Sequence, residues 1–223
     1  MRTKDMTNER TGATAEKRSL KEQVYEALLA KLLNNELVPG QILNRRAVAE
    51  ELGVSVAPVL EAMLQLRAEG FLESIARKGT QVRPIGQKDI VGMLVVREAL
   101  ECQAARLYCG ESVEAELDRL LPLARELESD AAGHPHHWMM DLEFHTALVS
   151  LADCPMLSDE YRRCIHLNMF FGINRFYPRA AEHGRMSHES LLRELTTRDP
   201  DAAEQIIRRH IRSGKGPFAE LIR

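Results

Sequence analysis

The chain has 223 residues, 44% of them hydrophobic and 28% charged, with a formal net charge of −3. That length can bury one large core or two small ones, and the acidic balance excludes a generic polyanion binder. No apolar run approaches the roughly 20 residues that span a bilayer, and none at the N-terminus reads as a signal peptide. Cys102, Cys109, Cys154 and Cys164 form no C-x-x-C pair, so the expectation is a cytoplasmic protein with reduced thiols and no membrane partner.

The charge is unevenly spread. Residues 1–86 hold 13 Lys and Arg against 11 Asp and Glu, and the remainder holds 17 against 22. A mildly basic front half joined to an acidic back half suits a DNA-binding module fused to a module with another task.

Residues 1–18 are polar and lack the apolar content to pack, which predicts a disordered arm. Leu20, Val24, Leu28 and Leu32 then mark a helix over about 19–35, broken by Val38-Pro39-Gly40. A second, short helix starts after Asn44, a good N-cap, carries Val48, Ala49 and Leu52 at helical spacing, and stops at Gly53. Ser55 can cap a third helix, in which Val59, Ala62, Met63 and Leu66 form one apolar stripe before Gly70. Residues 71–74 and 80–82 are short enough for hairpin strands, with Arg77, Lys78 and Gly79 at the tip. Two helices across a tight turn, followed by a basic-tipped hairpin, predict a winged helix-turn-helix over 19–84 whose third helix enters the major groove.

Pro84 and Gly86 make a short linker. Beyond it the sequence predicts helices near 87–109, 112–129, 135–152, 155–174, 185–197 and 200–213, separated by Gly110, Gly133-His134-Pro135, Asp153-Cys154-Pro155, Pro178 and Asp199-Pro200. Helices joined by short loops make an antiparallel bundle over 85–223. The expected fold is therefore mainly α: an N-terminal winged helix-turn-helix followed by an all-helical antiparallel bundle.

Asp141 and His145 stand four apart, so both project from one helix face. His188 lies eleven residues before Asp199 and His210 eleven after it; if Asp199-Pro200 turns a helical hairpin, the two imidazoles face each other at equal height. If the Asp141 helix crosses that hairpin, three histidines and one aspartate converge, a donor set that suits a divalent ion: zinc first, with nickel or manganese as alternatives. His134, His136 and His137 form a rival cluster in a loop, and His166 and His183 have no assignable partner.

These residues resemble a known family. The segment 20–82 is similar to the winged helix of GntR-type bacterial regulators at Pro39-Gly40, Leu52-Gly53-Val54-Ser55, Pro58-Val59, Glu61-Ala62, Glu69-Gly70 and Gly79. The remainder resembles the helical FCD effector domain of the FadR-like subfamily, through Arg97-Glu98-Ala99-Leu100-Glu101 and through Asp141, His145, His188 and His210, which match that domain's Asp, His, His, His metal set. The two halves cover about 200 of the 223 residues. The resemblance implies a homodimer on double-stranded operator DNA whose binding responds to a small organic acid, with a carboxylate completing the metal's coordination sphere. Arg97 is the candidate second contact, since a guanidinium pairs bidentately with carboxylate, or else a structural salt bridge; Asn168 and Arg175 could also line the pocket.

The chain departs from the family pattern in one place. Family members commonly carry arginine directly after the serine of the turn and again four residues on, where this chain has Val56 and Leu60. Two expected cationic contacts at the head of the recognition helix are thus absent, and each lost phosphate contact flattens the salt dependence of binding by about one unit of slope. The remaining DNA-binding candidates are Arg46, Ser55, Arg77, Lys78 and Gly79, with Arg45 and Arg67 beside them, and Val56 and Ala57 could touch thymine methyl groups. The expected function is an effector-responsive transcription factor and not an enzyme. A helical metalloenzyme is the alternative, as is a winged-helix relative that has lost DNA binding and serves as an interaction module.

Overall fold

The computed structural model describes residues 18–129, 135–170 and 186–213. The N-terminal arm lies outside them except for Arg18, which donates to Glu26 at 2.6 Å and so rests against the first helix. That helix, α1 (Leu20–Leu33), opens on Ser19, whose side chain accepts from Glu22 N while Glu22 accepts from Ser19 N. This reciprocal box satisfies two otherwise orphaned donors. Val24, Leu28, Leu29 and Leu32 are buried on one face, whereas Leu20, at the frayed end, is 55% exposed.

Asn44 caps α2 (Arg45–Glu51) by accepting from Arg46 N and Ala47 N. Gly53 carries the chain out of it at φ +66°, a conformation that costs a side-chain-bearing residue dearly. Next comes α3 (Val56–Ala68), with Val59, Ala62, Met63 and Leu66 buried on its inner face. Ser55 stands at its N-cap position, but its hydroxyl makes no capping bond, so the helix is held by its packing instead.

The wing has three strands: β1 (Ile42–Leu43), β2 (Leu72–Ile75) and β3 (Gly79–Val82), in the order β1-β3-β2 and antiparallel throughout. The hairpin is shifted slightly from its expected place, with Leu72 opposite Val82 and Ile75 opposite Gly79. Gly79 therefore begins a strand, and Ala76, Arg77 and Lys78 form the tip. The sequence reading did not anticipate β1, which pairs Ile42 with Gln81 and Leu43 with Thr80.

Six helices complete the described architecture: α4 (Gln87–Tyr108), α5 (Glu111–Ser129), α6 (Pro135–Ser150), α7 (Pro155–Phe170), α8 (His188–Glu194) and α9 (Pro200–Ser213). Asp89 anchors the start of α4 by accepting from Gly86 N at 2.9 Å and pairing with Arg83. The observed α8 is shorter than the expected 185–197. Ser187 caps its start by accepting from Ser190 N, and Leu195 closes it.

Two apolar cores fill the chain. The first joins α1, α2, α3 and the wing, but it also contains Ile90 and Leu94 of α4 and Phe170 of α7, with Leu167 packed against it. Phe71, just after α3, meets Phe170 ring to ring at 5.4 Å. The second core holds the bundle, with Tyr108, Leu120, Leu127, Phe144, Tyr161, Leu191 and Ile207 among its buried members. The core that includes the wing thus continues past the expected boundary at 84/85 into the first turns of α4. Phe71→Ala should destabilise the folded chain by about 3–5 kcal/mol, because it empties a packed site shared by both halves. Met156→Ala, at a side chain 81% exposed, should change stability by less than about 0.5 kcal/mol. Urea unfolding followed by far-UV circular dichroism compares the two.

Candidate metal centre and its identity

Four helices deliver the polar residues of the bundle's interior. From α4 come Arg97 and Glu101, one turn apart on the face that continues from Ile90 and Leu94. Asp141 and His145 come from α6, also one turn apart, alongside buried Leu142, Phe144, Leu148 and Val149. His188 opens α8, and His210 sits on the buried face of α9 with Ala203, Ile206, Ile207 and Ile211. All six are less than one-tenth exposed.

The three imidazoles converge. His145, His188 and His210 each offer a ring nitrogen such that these atoms all lie within 4.8 Å of one another. His145 Nε2 is 3.3 Å from His210 Nε2. Asp141 Oδ1 completes the set from one side, 3.2 Å from His188 Nε2 and 3.9 Å from His145 Nε2. Donors about 2.0–2.1 Å from a tetrahedral ion stand about 3.4 Å apart along each edge. The shortest separations already have that spacing. Phe144 walls the site, its ring edge-on to His145 and His188.

A second layer of carboxylates backs two of the histidines. His145 Nδ1 lies 2.9 Å from Glu101 Oε2, in contact although off the hydrogen-bond line. His188 Nδ1 lies 3.1 Å from Glu128 Oε1, which also accepts from His188 N. A carboxylate at Nδ1 favours the proton there and leaves the Nε2 lone pair facing inward, the tautomer a metal requires. His210 Nδ1 has no hydrogen-bond partner among the described residues.

Electrostatics keep the two carboxylates ionised and push two of the imidazoles, His145 and His210, toward the neutral form. Burial alone would raise the Asp141 pKa, but His188 against its Oδ1 and the neighbouring His145 and Arg97 outweigh it and hold the carboxyl well below its usual range. Glu101 is likewise held low against burial, first by Arg97 and then by His145. Arg97 donates from Nε to Glu101 Oε1 and lies 3.8 Å from Asp141 Oδ2. Burial works against its charge, and Glu101 foremost restores it, raising its pKa. Tyr161 donates to Glu101 Oε1 at 2.8 Å and stays protonated, its pKa raised by burial and then by Glu101. Burial pushes the His145 pKa down against the pull of Glu101 and Asp141. His210 is driven further down, by burial first and then by His145 and His188. Imidazoles gathered around an ionised carboxylate form a nitrogen-and-oxygen donor set suited to a divalent ion.

The remaining candidates are placed as follows. Asn168 is buried on α7, and Arg175 lies outside the described residues, as do His134 and His183. The side chains of His136 and His137 are also outside them, and His166 is half-buried on α7, away from the three-histidine cluster. On the winged helix, Arg45, Arg46, Ser55, Val56, Ala57, Arg77, Lys78 and Gly79 are exposed and Leu60 is half-buried. Arg67 donates to Ser74 Oγ at 2.8 Å. Sequence reasoning missed the backing roles of Glu101 and Glu128. The i,i+4 spacing of Arg97 and Glu101, on the face that carries Leu94, was the available signal for the first.

A three-stranded wing on a helix-turn-helix, continuous with a helical bundle, defines a DNA-binding regulator with an attached helical domain. The comparisons make this specific. Residues 20–82 match the model of bacterial regulatory proteins of the gntR family, and residues 92–213 match the FCD domain. The chain belongs to the GntR family of bacterial transcriptional regulators and carries an FCD domain. Among curated relatives it is 29% identical over 188 residues to the Nta operon transcriptional regulator of Aminobacter aminovorans, covering 83% of this chain and 88% of that one. It is 23% identical over 204 residues to the HTH-type transcriptional repressor RspR of Escherichia coli, with 85% of each covered. Among solved structures, E. coli McbR/YncC shares the fold at a TM-score of 0.64 and 22% identity, covering 93% of this chain and all of that one. A GntR regulator from Rhodococcus sp. RHA1 does so at 0.65 and 21%, covering 92% and all. No helix among the described residues is long and apolar enough to cross a membrane.

Removing Glu101 leaves the Arg97 guanidinium buried without its main counter-charge. Glu101→Ala should therefore destabilise the protein by about 3–5 kcal/mol, whereas Arg119→Ala, which removes a half-exposed pair with Glu116, should cost about 0.5 kcal/mol or less. Urea titration of both variants at neutral pH measures the difference.

Proposed function

We propose that this GntR-family regulator binds operator DNA as a homodimer in the cytoplasm, and that a small carboxylate effector, bound at a divalent ion held by Asp141, His145, His188 and His210, sets its DNA affinity. The observation that carries this reading is the buried convergence of three imidazoles and one ionised aspartate, whose shortest donor separations, 3.2 and 3.3 Å, match a tetrahedral edge. Zinc is the first candidate, with nickel and manganese next. When bound, the ion supplies a positive pole that an effector carboxylate can coordinate.

The chain's own residues do the rest. Glu101 and Glu128 hold His145 and His188 in orientation. Arg97 is the candidate second contact for a carboxylate; it is already paired with Glu101, so an effector must share it with that carboxylate or draw it away. Asn168 and Arg175 remain candidates for lining the pocket. Either displacement of Arg97 acts on α4, whose preceding turn carries Leu94 in the winged-helix core. An effector that fits one placement of α4 better than another shifts the balance between two placements of the winged helix, and in a two-fold dimer that changes the spacing of two recognition helices.

The test is elemental analysis and native mass spectrometry of the purified chain. One divalent ion per protomer is expected, and His145→Ala should lower that stoichiometry while far-UV circular dichroism stays unchanged. An unchanged metal content would remove the site from the account. Thermal-shift titration of the metal-loaded protein should then find stabilisation by small carboxylates and none by amines of the same size, and the loss of that difference in Arg97→Gln places the acid beside Arg97.

A further inference from the structure

We infer that α3 recognises its DNA site through an apolar edge, in which Val56, Ala57, Leu60 and Leu64 pack against the 5-methyl groups of thymines in the major groove. The inference rests on the DNA-binding reading and names what that reading's recognition helix detects.

The outward face of α3 decides it. Val59, Ala62, Met63 and Leu66 turn inward, and Val56, Leu60 and Leu64, spaced four apart, run as a strip along the flank of that buried face, with Ala57 beside them on the solvent side. Val56 is 42% exposed and Leu64 43%, with half-buried Leu60 between them on the same strip. The hydrogen-bonding side chains that could read a base edge from this helix are committed elsewhere. Gln65 Nε2 donates to Glu69 at 3.1 Å, and Arg67 donates to Ser74 on β2. Glu61 remains, an acceptor only, which can take one bond from the amino group of cytosine or adenine but cannot make a bidentate contact to a purine edge. The Ser55 hydroxyl at the N-cap is left with no capping bond, but a single hydroxyl cannot make the bidentate contacts that identify guanine or adenine. The major groove offers such a face one apolar feature, the thymine methyl.

Charge argues for DNA over a protein as the occupant. Every arginine described between Gln87 and Ser213 is ion-paired. By contrast Arg45 and Arg46, at the head of α2, and Arg77 and Lys78, at the wing tip, are exposed and have no ion pair among the described residues. These elements flank α3 in sequence and fold. Uncompensated cations on both sides of an apolar strip match a groove whose walls are phosphates and whose floor carries methyls.

The experiment uses the full-length protein. Duplexes are enriched from a random-sequence pool, and the preferred duplex is remade with deoxyuridine for thymidine, which deletes the methyl group alone. Loss of one contacted methyl should weaken binding about fourfold, and loss in both half-sites about fifteenfold. Leu64→Gln, at an exposed position, should shrink the thymidine-to-deoxyuridine difference while the circular dichroism spectrum is retained. Equal affinity for the uracil duplex overturns methyl recognition and leaves DNA binding standing. Absence of any enriched sequence overturns both. A change in oligomeric mass in Leu64→Gln with unchanged DNA affinity also overturns the inference, since the strip would then cover another protein surface.

Discussion

The constraint on which the structure depends is that one helix must satisfy two interiors. The first turns of α4 bury Ile90 and Leu94 among the residues of the winged helix, and its later turns bury Arg97, Glu101, Cys102, Ala105 and Tyr108 in the bundle. Leu94 and Arg97 are separated by about 4.5 Å of helix rise, less than one turn. An α-helix transmits such a displacement with little loss, because bending it breaks backbone hydrogen bonds. Helix α7 repeats the arrangement, with Tyr161 bonded to Glu101 at one end and Phe170 against Phe71 at the other. Two rods thus tie the polar centre to the DNA-binding half, and coupling in the proposed mechanism requires no separate pathway.

The polar centre itself is costly. An arginine, two carboxylates and three imidazoles are withdrawn from water in a region that Phe144, Tyr161 and Leu191 would otherwise fill as ordinary core. Well-packed apolar residues often stabilise such a position more than a buried ion pair does. The chain compensates by giving nearly every charged atom a partner: Arg97 against Glu101 and Asp141, Tyr161 against Glu101, His188 against Glu128 and Asp141. The least compensated group is His210, which presents Nε2 to His145 and has no described partner for Nδ1. A network complete at one side and open at another is better suited to accepting something than to holding a fold together.

Much of this was readable before any coordinates, and the reason differs from case to case. Asn44 as a cap, Gly53 and Gly70 as helix ends, and the inward stripe of α3 are local features dictated by the backbone within a few residues. The approach of His188 and His210 was legible because equal spacing about Asp199-Pro200 converts sequence distance into helix height; their rings stand 4.9 Å apart. What escaped notice is non-local. Strand β1 has two residues and exists only because β3 pairs with it. Ser55 has the right chemistry for a cap, but nothing in the sequence announces that its hydroxyl makes no bond to the helix. Glu128 backs His188 across 60 residues, and nothing near either one foretells it. Pro84 and Gly86 mark the end of the wing's backbone, whereas the core that the wing depends on continues to Leu94, which no local signal announces.

The same distinction governs the reading of charge. By composition the front segment is only slightly basic, 13 against 11, which is weak evidence for a nucleic-acid partner. Net charge, however, counts a guanidinium locked to a carboxylate as equal to one facing solvent. In the bundle the described arginines are matched to acids, as where Arg208 and Arg212 both meet Glu98 and Arg106 meets Asp201 and Glu204. Their fields largely cancel within a few ångströms, well inside the screening length of about 8–10 Å at physiological salt. The cations of α2 and the wing tip have no ion-pair partner among the described residues, so they shape the potential that reaches an approaching duplex. A modest count becomes a directed field because these cations are unmatched while the described arginines of the bundle are matched to acids.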